Sequence, residues 1–124
     1  MKIFLCLGTL LFAAMTLSAA DISGKWSGSF TVTGPGGESQ QDTAFVILQQ
    51  KGNALTGSGG PDDTRQWPIL KGNVEGNKIT FEVQSDGPLY KVDVMLVGDH
   101  IKGDVTVVQE GQTSKAKVDL TRVK

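Results

Sequence analysis

The sequence predicts an all-β protein, an eight-stranded antiparallel up-and-down (meander) β-barrel that follows an N-terminal signal peptide, and three observations predict it. Apolar and polar residues alternate with period two along most of the chain after Asp21. Gly-Asn and Gly-Asp pairs interrupt that alternation at short intervals. Ahead of both lies one uninterrupted apolar stretch near the N-terminus.

That stretch reads as an address. Lys2 gives the positive start, Ile3 to Leu17 the apolar segment, and Ser18-Ala19-Ala20 the small residues that a signal peptidase requires. The segment is short for a membrane span and polar chain follows it, so residues 1–20 are expected to be a signal peptide cleaved after Ala20. Residues 21–124 then form a single domain, periplasmic or secreted, with no stable membrane insertion after cleavage. Cys6, the one cysteine, lies inside the apolar segment, so the exported domain has to hold together without a disulfide. All 13 acidic residues lie after residue 20, whereas one of the 12 basic residues, Lys2, would leave with the leader. The exported chain is therefore slightly acidic, and it carries no basic footprint for a nucleic acid.

Strands are expected at about 24–32, 42–50, 54–59, 66–74, 78–84, 89–97, 101–108 and 113–123. Trp26, Phe30 and Val32 alternate with Lys25, Ser27, Ser29 and Thr31; Ile79, Phe81 and Val83 alternate with Lys78, Thr80 and Glu82. The same holds for Tyr90, Val92, Val94 and Leu96, for Ile101, Val105 and Val107, and for Ala116, Val118 and Leu120. One face is then buried and the other wet. Two-residue turns at Gly52-Asn53, Gly76-Asn77 and Gly98-Asp99 fix a register. About Gly98-Asp99, Leu96 falls opposite Ile101, Val94 opposite Gly103, Val92 opposite Val105 and Tyr90 opposite Val107, so apolar faces coincide. About Gly76-Asn77, Val74 is expected opposite Ile79 and Leu70 opposite Val83, with Glu75 against Lys78 and Lys71 against Glu82 outside. The run from Thr43 to Gln50 is apolar on both faces, and its facing is left open. Gly59-Gly60-Pro61-Asp62-Asp63 is expected to be the turn into the fourth strand, and Pro68 marks an edge or a bulge there. Eight hairpin-linked strands remove their exposed edges by closing into a barrel.

Gly24-Lys25-Trp26 on the first strand, with Arg122 near the end of the last, resembles the calycin superfamily of lipocalins, fatty-acid-binding proteins and avidins. The resemblance implies a barrel closed at one end by Trp26, with the guanidinium of Arg122 across its ring, so that Gly24, Trp26 and Arg122 form the closure. The likeness to avidins is closest at Ser23-Gly24-Lys25-Trp26 and Ala54-Leu55-Thr56-Gly57. Avidins hold biotin with an asparagine two positions after that tryptophan and with several further tryptophans. Gly28 occupies that position here, and Trp67 is the only other tryptophan, so biotin binding is not carried over. The chain also resembles small secreted bacterial barrels, including periplasmic metalloprotease inhibitors that begin with a similar Ser-Gly-x-Trp but use a disulfide.

Catalysis needs a nucleophile, base or metal held in a pocket. His100, the single histidine, sits beside a hairpin turn with no cysteine to activate and reads as a solvated turn residue, so the chain reads as non-catalytic and free of cofactors. The expected register lines up Asp93, Asp104 and Asp119 on the outer face. Either a cation such as calcium compensates that row, or a bulge or Lys91, Lys102 and Lys117 relieve it. Strict alternation back from Val74 puts Trp67 and Ile69 outside, whereas a bulge at Pro68 turns Trp67 inward. Two functions follow. One is a barrel that binds a small apolar or amphipathic ligand, with Trp67, Phe81, Tyr90 and Val92 as its wall and Arg65 at its rim. The other is a protein-interaction or inhibitor module with a filled core, whose partner is another protein.

Overall fold

The computed structural model describes residues 21–34 and 36–123, so the expected leader, residues 1–20, lies outside the described residues. Eight strands follow one another as β1 (Gly24–Thr33), β2 (Ser39–Lys51), β3 (Ala54–Asp62), β4 (Arg65–Glu75), β5 (Lys78–Gln84), β6 (Leu89–Val97), β7 (His100–Gln109) and β8 (Gln112–Arg122). Each pairs antiparallel with its chain neighbour, and β8 pairs with β1 to close the barrel.

The turns act as the sequence demands. Gly52, Gly76 and Gly98 each have φ near +60°, at 62°, 61° and 61°, which places a glycine at the first central position of each two-residue hairpin. The register about Gly98-Asp99 is the expected one, with Val92 opposite Val105 and Tyr90 opposite Val107. A further tight turn, which the sequence reading passed over, joins β7 to β8 through Glu110 (φ 52°) and Gly111 (φ 79°).

β4 departs from strict alternation, because Lys71 (φ 54°) sits in a bulge between Leu70 and Asn73. Val74 still meets Ile79 and Glu75 still meets Lys78, but beyond the bulge Ile69 faces Val83 and Leu70 faces Glu82. The expected Leu70–Val83 pair is therefore corrected: Ile69 is buried at 9% exposure and Leu70 stands outside at 45%. Lys71 keeps its expected partner, its Nζ lying 3.9 Å from Glu82 Oε1. The irregularity belongs to Lys71-Gly72 rather than to Pro68, which lies opposite Ser58 inside a closed barrel with no edge.

The β3–β4 connection is also shorter than expected. Gly59 to Asp62 are strand, and only Asp63 and Thr64 turn. Asp62 explains this, since one carboxylate oxygen accepts the backbone N–H groups of Thr64 and Arg65, both at 3.0 Å, and the Thr64 hydroxyl at 2.7 Å.

The strand whose facing the sequence left open turns Ala44, Val46 and Leu48 toward the lumen and leaves Phe45 and Ile47 half-buried on the other face. Trp26, Ile79, Val94, Ile101 and Leu120 pack the closed end, each 3% exposed or less. The outer face carries Lys91, Asp93, Lys102, Asp104, Lys115 and Lys117, all exposed. A polar exterior around an apolar interior is the reverse of a barrel built to sit in lipid.

Candidate functional site

The barrel is plugged at one end and hollow at the other. The plug belongs to β1 and β8. Trp26, 1% exposed, donates its indole N–H to Ile22 O at 3.0 Å, and Arg122 lies over its ring with the guanidinium carbon 4.4 Å from the centroid. Gly24 has to be glycine, because its φ is +134° and an added Cβ would stand 3.0 Å from Arg122 Nη1. Gln50 completes the floor: its side chain accepts the Ile22 N–H at 3.1 Å and donates to Gly52 O at 3.0 Å.

Above this floor the lumen holds a cavity of about 370 Å3. Val46, Leu48, Val83, Val94, Ile101 and Val105 form much of its apolar wall. All five residues that the sequence assigned to a ligand wall or rim, Arg65, Trp67, Phe81, Tyr90 and Val92, line it. Trp67 does so because the bulge at Lys71 gives it the inward facing of Ile69.

Phe30 of β1 and Tyr90 of β6 are not neighbours in the sheet, yet their ring centroids are 5.9 Å apart at 75°. This edge-to-face contact crosses the lumen and closes part of its upper end. The remaining rim comes from β2 to β6: Asp42, Thr43, Pro61, Arg65 and the 85–88 loop.

The rim is the charged part of an otherwise apolar site. Arg65 stacks over Trp67, 5.7 Å from the centroid, and the Trp67 indole N–H makes a long hydrogen bond of 3.4 Å to Asp86 Oδ1. Burial pushes the Tyr90 phenol above its ordinary pKa, the carboxylate of Asp42 pushes it further the same way, and the Ser85 hydroxyl pulls it back. Ser85 and Pro88 pin the loop, through Ser85 Oγ donating to Pro88 O at 2.8 Å and Pro88 O accepting Ser85 N–H at 3.1 Å.

Sequence reasoning missed Phe30, Asp42 and Asp86 as cavity residues. Asp42 was recoverable from its parity with Ala44, Val46 and Leu48, had the facing of that strand been fixed. Asp86 sits in a turn, where no periodicity speaks.

Two further expectations are corrected or narrowed. The row of aspartates is broken: Asp93 faces Asp104, but Asp104 faces Lys117 and Asp119 faces Lys102. The tight Glu110-Gly111 turn sets β8 two residues away from the assumed register, and Asp119 instead meets His100 Nδ1 at 2.7 Å. Among the described residues no group of three or more His, Cys, Asp or Glu is placed to hold a metal ion. At Gly28, the position compared with the biotin-binding asparagine, a Cβ would collide with the backbone carbonyl of Asp119, so no side chain fits there.

No family model, curated protein or solved structure matches this chain.

Proposed function

We propose that the protein is an exported, non-catalytic barrel that binds one small apolar or amphipathic molecule in its lumen. The cavity of about 370 Å3, apolar in its depth and polar at one rim, carries the reading. That volume falls in the range of small-molecule sites, and its division into an apolar body and a few convergent polar groups is how such sites orient a ligand. Export rests on the Lys2 to Ala20 leader in the sequence. A calycin-like relationship is supported by the barrel topology and by the Trp26–Arg122 contact at the closed end. The alternative of a protein-interaction module with a solid core draws no support from a lumen open to this extent.

A titration with a neutral amphipathic fluorophore, N-phenyl-1-naphthylamine, tests the reading. Saturable uptake of one molecule per chain is expected, with quenching of Trp67. Ala44→Phe, which places a ring in the cavity, should abolish uptake while leaving the strand circular dichroism unchanged. Absence of saturable uptake by the native protein, or equal uptake by the Ala44→Phe variant, would overturn it.

A further inference from the structure

On the ligand-binding reading above, the charged side chains of the lumen bear on the head group that its ligand would carry. Three charged side chains line the cavity: Asp42 on β2, Asp86 in the loop between β5 and β6, and Arg65 on β4. Arg65 is already engaged, its guanidinium on the Trp67 ring and its charge beside Asp62. Neither Asp42 nor Asp86 has a basic side chain within ion-pair distance among the described residues. Among the described residues Asp42 accepts only the neighbouring Thr43 N–H at 2.8 Å, and Asp86 only the indole N–H of Trp67.

The aromatic groups at the same rim favour the same sign. Ring faces attract cations, and Trp67 already draws one. The Tyr90 phenol is raised by burial first and by the Asp42 carboxylate second, which places that negative charge beside the ring at the rim. Below the rim the wall is hydrocarbon and aromatic ring, offering nothing to a second polar group.

We infer that the cavity takes amphipathic cations, with a slender apolar body lying against Phe81, Val83 and Val92 and an ammonium group at the rim between Asp42 and Asp86. The carboxylates compensate the charge while the chain displaces water from the lumen. Because the rim is wet, the preference is one of selectivity more than of raw affinity, and it weakens as salt screens the pair.

Three probes of equal chain length separate this inference from the reading beneath it: decyltrimethylammonium, decanol and decanoate, each below its micellar concentration and each displacing N-phenyl-1-naphthylamine. The cation is expected to compete about fivefold to tenfold better than the alcohol at low salt, and the carboxylate worse than the alcohol. In the Asp42→Asn, Asp86→Asn double variant the advantage of the cation over the alcohol should disappear. Equal competition by all three in the native protein, or strongest competition by decanoate, overturns the cation assignment and leaves a ligand-binding barrel. Failure of all three, together with failure of the fluorophore to bind, overturns the barrel's ligand function itself.

Discussion

Arg122 and Trp26 hold each other through the backbone as well as through the ring. The guanidinium lies 4.4 Å from the indole centroid, and its Nη1 donates to Ser23 O at 2.7 Å and its Nη2 to Asp21 O at 3.2 Å. The indole N–H in turn donates to Ile22 O at 3.0 Å. Last strand, first strand and the segment before it are thus fastened at one point. A cation on a ring contributes about 0.5 to 2 kcal/mol, and each hydrogen bond to a charged donor a comparable amount. Arg122→Ala should therefore lower stability in urea by about 2 kcal/mol, and Arg122→Lys by less, because lysine keeps the charge but not the planar fork. An Arg122→Ala variant unfolding at the native midpoint would show that Trp26 closes the barrel unaided.

The bulge at Lys71 makes a prediction that reverses what strict alternation expects. Ile69 is buried against Val83 and Leu70 is in water, so Ile69→Ala should cost about 2 to 4 kcal/mol while Leu70→Ser stays within about 0.5 kcal/mol of native. With the unbulged register the two results would change places. Equilibrium unfolding of both variants decides between them.

The contrast between β4 and β6 shows what the sequence made legible. Between β6 and β7 every pairing follows from alternation and one Gly-Asp turn, because each strand turns one set of alternate residues inward and a one-residue slip would bury lysine. β4 offers no such penalty: Ile69 and Leu70 are adjacent and equally apolar, so the pattern cannot say which is inside. The choice comes from the backbone at Lys71, which leaves no periodic signal. The wall of the cavity was therefore legible, Phe81, Tyr90 and Val92 on regular strands and Trp67 conditionally. Its acidic rim was not, because Asp42 lies on a strand apolar on both faces and Asp86 lies in a loop.

Gln66 replaces the ladder where β3 is irregular. The β3–β4 register shifts twice, between Leu55 and Ser58 and between Gly59 and Asp62. At that seam the Gln66 amide donates to Phe45 O at 3.0 Å and to Asp62 O at 2.8 Å and accepts the Ser58 hydroxyl at 2.7 Å, tying β2, β3 and β4 together. Removing the amide takes a part-buried partner from the Phe45 carbonyl and from the Ser58 hydroxyl, so Gln66→Ala should cost about 1 to 3 kcal/mol. Amide exchange in β3 should accelerate more than exchange in β6 and β7. Uniform acceleration across the barrel would mean that Gln66 contributes to global stability without securing this seam.

The response to pH has two ends with different causes. Three exposed carboxyls sit below their ordinary pKa of 3.8: Asp21 through the Ser23 side chain and backbone, Asp62 through the Thr64 hydroxyl and backbone, and Asp104 through its bond and charge pairing with Lys117. As pH falls below 3.8 the unfolded chain takes up protons before the native one, so their stabilisation, complete at neutral pH, is lost toward the acid side. At the alkaline end Tyr90, raised from 10.0 by burial first and by Asp42 second, keeps its proton in the native state after the unfolded chain has released it. Stability should therefore also fall as pH rises above 10.0. Tyr90 is the only tyrosine, so ultraviolet absorbance of the phenolate follows it alone. Asp42→Asn removes the carboxylate facing it and should bring the midpoint back toward 10.0, with burial keeping it above. An unmoved midpoint in that variant would show that Asp42 and the phenol do not share the rim, and with it the acidic side of the cavity would lose its anchor.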